Sequence, residues 1–244
     1  MRRAALAALL LCAASGARAA VDRDNSTSSG RWGAFQLSFS TFAPNIDSEF
    51  TNGTQPYETV FGTTRPLLVQ VLFSRSVWIS QVGSLDVGLG IGYWKANGTG
   101  YSASSGQGSQ GGSTSLTILP VQLAVGYRFD VFYDQWGIPF APYLRGAIVG
   151  DIWWTSGQGA GSFSPYPANA QGTTWGWAGT LGLALVLDAL DPSMARQMDY
   201  DTGINHTMLF FDFTRESVNN FGAGNSWQLA PSYWMWSAGI LFVF

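Results

Sequence analysis

Cysteine is nearly absent, with Cys12 alone in 244 residues. It falls in an apolar N-terminal stretch that reads as a removable leader. The mature chain is therefore left without disulfides or thiol chemistry, which suits passage through an oxidising compartment. Histidine is as scarce, with His206 alone. Charge is low too, at 11% of residues against roughly 25% in an ordinary globular domain. The formal charge of −3 falls to about −6 once Arg2, Arg3 and Arg18 leave with the leader. That excludes a nucleic-acid partner, which calls for clustered basic residues. No run beyond the leader reaches the roughly 18 apolar residues of a transmembrane helix.

What is abundant is aromatic: 11 Trp, 16 Phe and 9 Tyr, together 15% of the chain, beside 30 Gly. A charge-poor, aromatic-rich chain with no helical span can enter a bilayer as a closed β-barrel, where every backbone group finds a partner. Both ends of the sequence agree. Met1-Arg2-Arg3 is a basic start, an apolar run of Ala and Leu follows over residues 4–14, and Ala17 and Ala19 are the small residues a signal peptidase reads. Cleavage after Ala19 is expected, leaving 20–30 as a flexible periplasmic N-terminus and 31–244 as the barrel. A lipoprotein cut at Cys12 is disfavoured by Leu11, where a small residue is needed. At the other end, Ser237, Gly239, Phe242 and Phe244 match the C-terminal assembly signal of bacterial outer-membrane barrels. Ile240, Phe242 and Phe244 would all face lipid. The competing reading is the last core strand of a soluble sandwich.

Period-two alternation predicts eight strands, over 32–43, 66–74, 84–94, 115–129, 140–152, 174–187, 207–215 and 233–244. The third is the clearest: Leu85, Val87, Leu89, Ile91 and Tyr93 alternate with Ser84, Asp86 and three glycines. The seventh is the least clear, because Met208 and Phe210 interleave with Leu209, Phe211 and Phe213. The expected fold is thus all-β: an eight-stranded antiparallel up-and-down transmembrane β-barrel. Ten strands would require a hairpin hidden in a loop.

Loop lengths set an orientation. With both termini in the periplasm, the connections 44–65, 95–114, 153–173 and 216–232 lie outside the cell, and all are long and rich in Gly, Ser, Asn and Pro. They are expected to be mobile. The inner turns 75–82 and 130–139 are shorter, as transmembrane barrels require. The third inner connection, 188–206, is long. Asp191-Pro192 reads there as a helix cap followed by proline, predicting a short periplasmic helix over 193–198. Tyr93, Trp94, Trp153, Trp154, Trp175, Trp177, Trp234 and Trp236 are expected in the outer aromatic girdle. Tyr127, Phe129, Phe132, Tyr133, Trp136 and Phe140 are expected in the inner one. Sugar stacking is the alternative for Trp153 and Trp154.

The runs Gly203-Ile204-Asn205-His206-Thr207 and Phe221-Gly222-Ala223-Gly224-Asn225-Ser226-Trp227, with Leu187-Asp188-Ala189-Leu190-Asp191-Pro192 before them, resemble a family of myxobacterial outer-membrane β-barrels. The resemblance covers nearly the whole mature chain. It implies the same fold and the same location, and nothing about activity.

An eight-stranded barrel is narrow enough for side chains to fill it. The inward list includes Gln36, Gln70, Asp86, Gln122, Arg128, Arg145 and Asp212. Asp86, Arg128 and Arg145 sit on three successive strands and are expected to form a charged plug, because unpaired buried charge costs several kcal/mol. Inward glycines at 88, 90, 92, 126 and 182 leave room for a cavity, keeping open an ion path or a lateral exit for small apolar molecules. Phe163, Pro165, Tyr166 and Pro167 could line its entrance. Catalysis is disfavoured because His206 has no serine at hand. Asp199 and Asp201 lack a fuller ligand set for a metal, and no cofactor is expected. The expected partners are outer-membrane lipid, the barrel-assembly machinery and, through the loops, small solutes or extracellular ligands.

Overall fold

Alternation along the strands decides which face of the sheet is covered. The computed structural model describes residues 30–50, 53–101, 108–157, 170–224 and 226–244. Among them are β1 (Gly33–Thr41), β2 (Leu67–Ile79), β3 (Ser84–Tyr101), β4 (Gly108–Arg128), β5 (Phe140–Gly157), β6 (Gln171–Val186), β7 (His206–Val218) and β8 (Met235–Val243). Each strand pairs antiparallel with the next. β8 returns to β1 through pairs running from Ala34 with Val243 to Ser40 with Ser237, closing the barrel. The seam is finished outside the strands, where Trp32 N–H donates to the Phe244 carbonyl at 2.6 Å and Phe244 N–H to that of Gly33 at 2.9 Å. No helix among the described residues is long and apolar enough to cross a membrane.

In β7 the ambiguous run of aromatics resolves around Asp212. That carboxylate is fully buried, so Met208 and Phe210 turn inward with it, while Leu209, Phe211 and Phe213 face out. Trp94 departs from the expected outer girdle. It continues the inward parity of Ser84 and Asp86, is fully buried, and its indole N–H donates to the Phe42 carbonyl at 3.0 Å. Trp153 is also turned in, stacked 4.6 Å from Trp227, which covers one face of its indole. Tyr133 packs edge-on against His206 rather than in an inner girdle.

Strands run further than alternation indicates. The segment 95–114 is largely not a loop: β3 reaches Tyr101 and β4 starts at Gly108, paired across the ladder. Backbone hydrogen bonds hold this extension whatever its side chains, so a Gly/Ser/Thr-rich sequence hides it. The first inner turn likewise shrinks to 80–83, because β2 continues to Ile79 with a bulge at Ser76/Trp78.

Two far-end connections, expected to be mobile, are packed. In 44–65 a 3-10 turn (Ile46–Glu49) precedes α1 (Pro56–Phe61). The two oxygens of Asp47 accept the Tyr57 and Glu58 N–H groups at 2.7 and 3.0 Å. In 216–232 the chain turns through Asn220 and Phe221, both at positive φ, and sends Leu229 and Ala230 back into the barrel mouth. At the termini end lie α2 (Val131–Asp134), a 3-10 turn (Leu187–Ala189) and α3 (Pro192–Thr202). α3 is longer than the helix expected over 193–198. Asp191 caps it by accepting the Ser193 and Met194 N–H groups at 3.1 Å, and Gly203 ends it in the left-handed region.

Candidate functional site: the filled lumen

Inward residues divide the lumen into levels. At the far end Phe42, Leu68, Trp94, Ile118, Leu229 and Met235 form one apolar cluster. At the termini end Ala184, Val186, Met208, Phe210, Leu241 and Val243 form another. Between them lies a polar belt.

Asp212 is the centre of that belt. One oxygen accepts the Tyr143 hydroxyl at 2.7 Å and lies 3.5 Å from the Arg145 guanidinium, while the other accepts the Ser237 hydroxyl. Arg145 also crosses the lumen to donate to the Gln36 amide oxygen at 2.8 Å. Thr180, the cross-strand partner of Arg145, and Thr214 pair beside them, hydroxyl to hydroxyl, at 2.9 Å. Ser237, placed in the C-terminal signal by the sequence, is thus also a lumen ligand of Asp212. Gly239 of that signal is needed for close approach, since a Cβ there would fall 1.9 Å from the Leu37 carbonyl oxygen.

The second network sits at the rim below β3 and β4. Arg128 donates to Asp130 at 2.7 Å and to the Ser84 hydroxyl at 3.0 Å, and lies 3.7 Å from Asp86. Arg31 lies 3.7 Å from Asp130 and makes a two-bond pair with Asp134 at 3.0 and 2.9 Å. Burial alone would raise the Asp130 carboxyl, but Arg128 and Arg31 beside it hold it below the usual carboxylate range.

Asp86, Arg128 and Arg145 therefore do not form one cluster. Arg145 turns from Asp86 toward the fully buried Asp212, and Asp86 instead accepts the Ser76 hydroxyl at 2.6 Å. Asp130 escaped the sequence reading because it lies just past a strand end, and Tyr143, which alternation puts on the face of Arg145, because its hydroxyl's partner is 69 positions away. The signal for where its ring lies is Gly182, its cross-strand partner.

The inward glycines do not leave an open channel. A Cβ on Gly182 would meet the Tyr143 ring at 2.2 Å, and one on Gly90 the Gln122 side chain at 2.7 Å. Gln70 lies equally close over Gly92, at 2.7 Å. Side chains from the neighbouring strand thus lie across these glycines. What remains, between the two charged networks and beside Gly88 and Gly126, is a cavity of about 50 Å³. That is space for water.

His206 is 2% exposed; its Nδ1 lies 2.7 Å from Asp188, whose other oxygen accepts the Thr207 N–H at 3.1 Å. The pair ties the 188–206 connection to the start of β7. Asp199 is buried in α3, and no group of three His, Cys, Asp or Glu able to hold a metal gathers among the described residues. Ala17, Ala19, Cys12 and the entrance residues Phe163, Pro165, Tyr166 and Pro167 lie outside the described residues.

No family model and no curated protein matches the chain. Among solved structures it is similar to Neisserial surface protein A, with 11% identity over 88% of this chain and 98% of that one, at a TM-score of 0.47. It is also similar to the outer membrane protein OprG from Pseudomonas aeruginosa (14% identity, 90% and 98% covered, TM-score 0.44). A third is Ail, the attachment invasion locus protein of Yersinia pestis (7% identity, 87% and 97% covered, TM-score 0.41).

Proposed function

We propose that this chain is an integral outer-membrane protein with a structural or surface-interaction role, its far-end loops outside the cell and both termini in the periplasm. The exterior of the barrel carries the reading. Leu89, Leu123, Ile148 and Leu181 are 65, 50, 51 and 59% exposed, midway along strands whose inner faces are already filled. In water that belt would forfeit about 25 cal/mol per Å²; in lipid it would not, and a closed ladder leaves no backbone group unbonded. Exposed tryptophans border the belt, with Trp32, Trp78 and Trp136 toward the termini and Trp175, Trp234 and Trp236 toward the far end.

The basic leader ending at Ala19, the long far-end loops and the resemblance to the myxobacterial barrels support the same placement. The barrel-assembly machinery would read Ser237, Gly239, Phe242 and Phe244. The role is not enzymatic: His206, the one histidine, is buried at the termini end, away from any outer-leaflet substrate. A channel is the second reading, favoured only by the small cavity between the charged networks; Arg145 and Trp94 fill the lumen above it.

Extracted outer membrane, run on a gel with and without boiling, tests the fold in its membrane. A faster unboiled band is expected. Loop cleavage by protease added to intact cells tests the orientation, and silence in planar bilayers separates plug from channel. Release of the protein with soluble periplasmic contents would sink the proposal.

A further inference from the structure

A polar pocket of about 250 Å³ opens at the far rim, between the 44–65 connection and the segment just before β8. Asp47 fixes one wall by bonding the start of α1, as described above. Tyr57 stands in that wall, 6% exposed, its ring 5.2 Å from Phe61. Its hydroxyl is buried and has no hydrogen-bond partner among the described residues. Burial, with Tyr233 and Asp47 nearby, raises its pKa, so it is a neutral donor. On the opposite side the Arg65 guanidinium lies 4.0 Å over the Tyr233 ring, and no carboxylate stands at ion-pair distance from it among the described residues. Thr63, Thr64 and Glu58 are among the other lining residues.

We infer that this pocket binds an anionic sugar unit, its carboxylate on Arg65 and its hydroxyls on Tyr57, Glu58 and the threonines. A guanidinium seated over an aromatic ring keeps its fork free for a planar carboxylate. Arg65 is the one cation in the lining, which suits a ligand with one carboxylate and several hydroxyls. The unpartnered Tyr57 hydroxyl marks where a ligand oxygen completes the wall, since a buried donor without an acceptor is costly. Biological supply of the sugar rests on the proposed orientation, in which the pocket faces outward. The sugar then comes from the cell's own lipopolysaccharide or from a foreign glycan.

The test is titration of the purified barrel in detergent with glucuronate and with glucose. Glucuronate is expected to bind about ten-fold tighter, the worth of one charge-assisted contact. Arg65→Gln is expected to erase that preference. Tyr57→Phe, which keeps the ring, is expected to weaken both sugars about five-fold, as loss of one hydrogen bond does. Retention of the boiling-dependent band shift shows that each variant still folds. Equal binding of the two sugars, or variants that bind as the parent does, would overturn the inference. Competition by lipopolysaccharide micelles assigns the cell's own source, and competition by a hyaluronan tetrasaccharide alone assigns a foreign one. Binding by the purified barrel and by permeabilised but not intact cells upholds the pocket and overturns the orientation.

Discussion

The belt around Asp212 and the cluster around Trp94 lie one above the other in the same lumen and fill it by different physics. In the belt, Tyr143, Arg145 and Ser237 converge on one fully buried carboxylate, and Arg145 spans to Gln36 on the opposite wall. In the cluster, Trp94, Phe42, Ile118 and Leu229 fill space with apolar volume, and the one polar edge of Trp94 is bonded to the Phe42 carbonyl. Charge pairing demands particular partners, whereas apolar packing demands only the right volume. The belt should therefore fail sharply on single changes that the cluster absorbs by degrees.

Asp212→Ala should give the largest effect. It leaves the largely covered Arg145 without its carboxylate, a loss of about 3 kcal/mol, read as a lower temperature for the band shift. Replacing both partners by Leu and Met should recover most of it; failure to recover would mean the belt is more than a matched pair. Trp94→Ala comes next, at about 3 kcal/mol for a large cavity. Conductance appearing in planar bilayers for this variant alone would show that the apolar cluster is the seal.

Smaller effects sharpen the contrast. Gly182→Ala pushes a Cβ into the Tyr143 ring and should cost about 1–3 kcal/mol by moving the Tyr143 hydroxyl off Asp212. Gly146→Ala, where nothing lies within 4 Å of an added Cβ, is the control. At the rim, Asp130 has a folded pKa below its unfolded one. Its stabilisation is full above the ordinary carboxylate value of about 4 and is lost as pH falls through the depressed one. The band-shift temperature should drop between pH 6 and about pH 3 less in Asp130→Asn than in the parent. Smallest of all, Asp191→Ala should speed amide exchange in α3 while leaving the barrel unchanged.

How far the chain could be read without its structure differs by feature. The outward Leu and Ile of β3 and β6 were plain, because a period of two is local and survives any register. Trp94 is the exception near a strand end, where inward parity and the Phe42 carbonyl outweigh an aromatic's preference for the interface. The extension of β3 and β4 was missed because backbone bonds hold together glycines and serines that show no alternation. α1 was missed because six residues capped from Asp47, ten positions upstream, carry no helical period of their own. The Asp191-Pro192 start of α3 was legible because both signals are adjacent in sequence.

Alternation and composition alone determined the facing of most strand residues and that the lumen would hold charge. Those properties depend only on neighbours along the chain. Which charges meet was left to the tertiary structure. Arg145 finds Gln36, 109 positions away, and Asp212, 67 positions away, because strand tilt and stagger set the heights at which inward side chains meet across the lumen. Alternation specifies the direction a side chain points, not the height of the one that faces it.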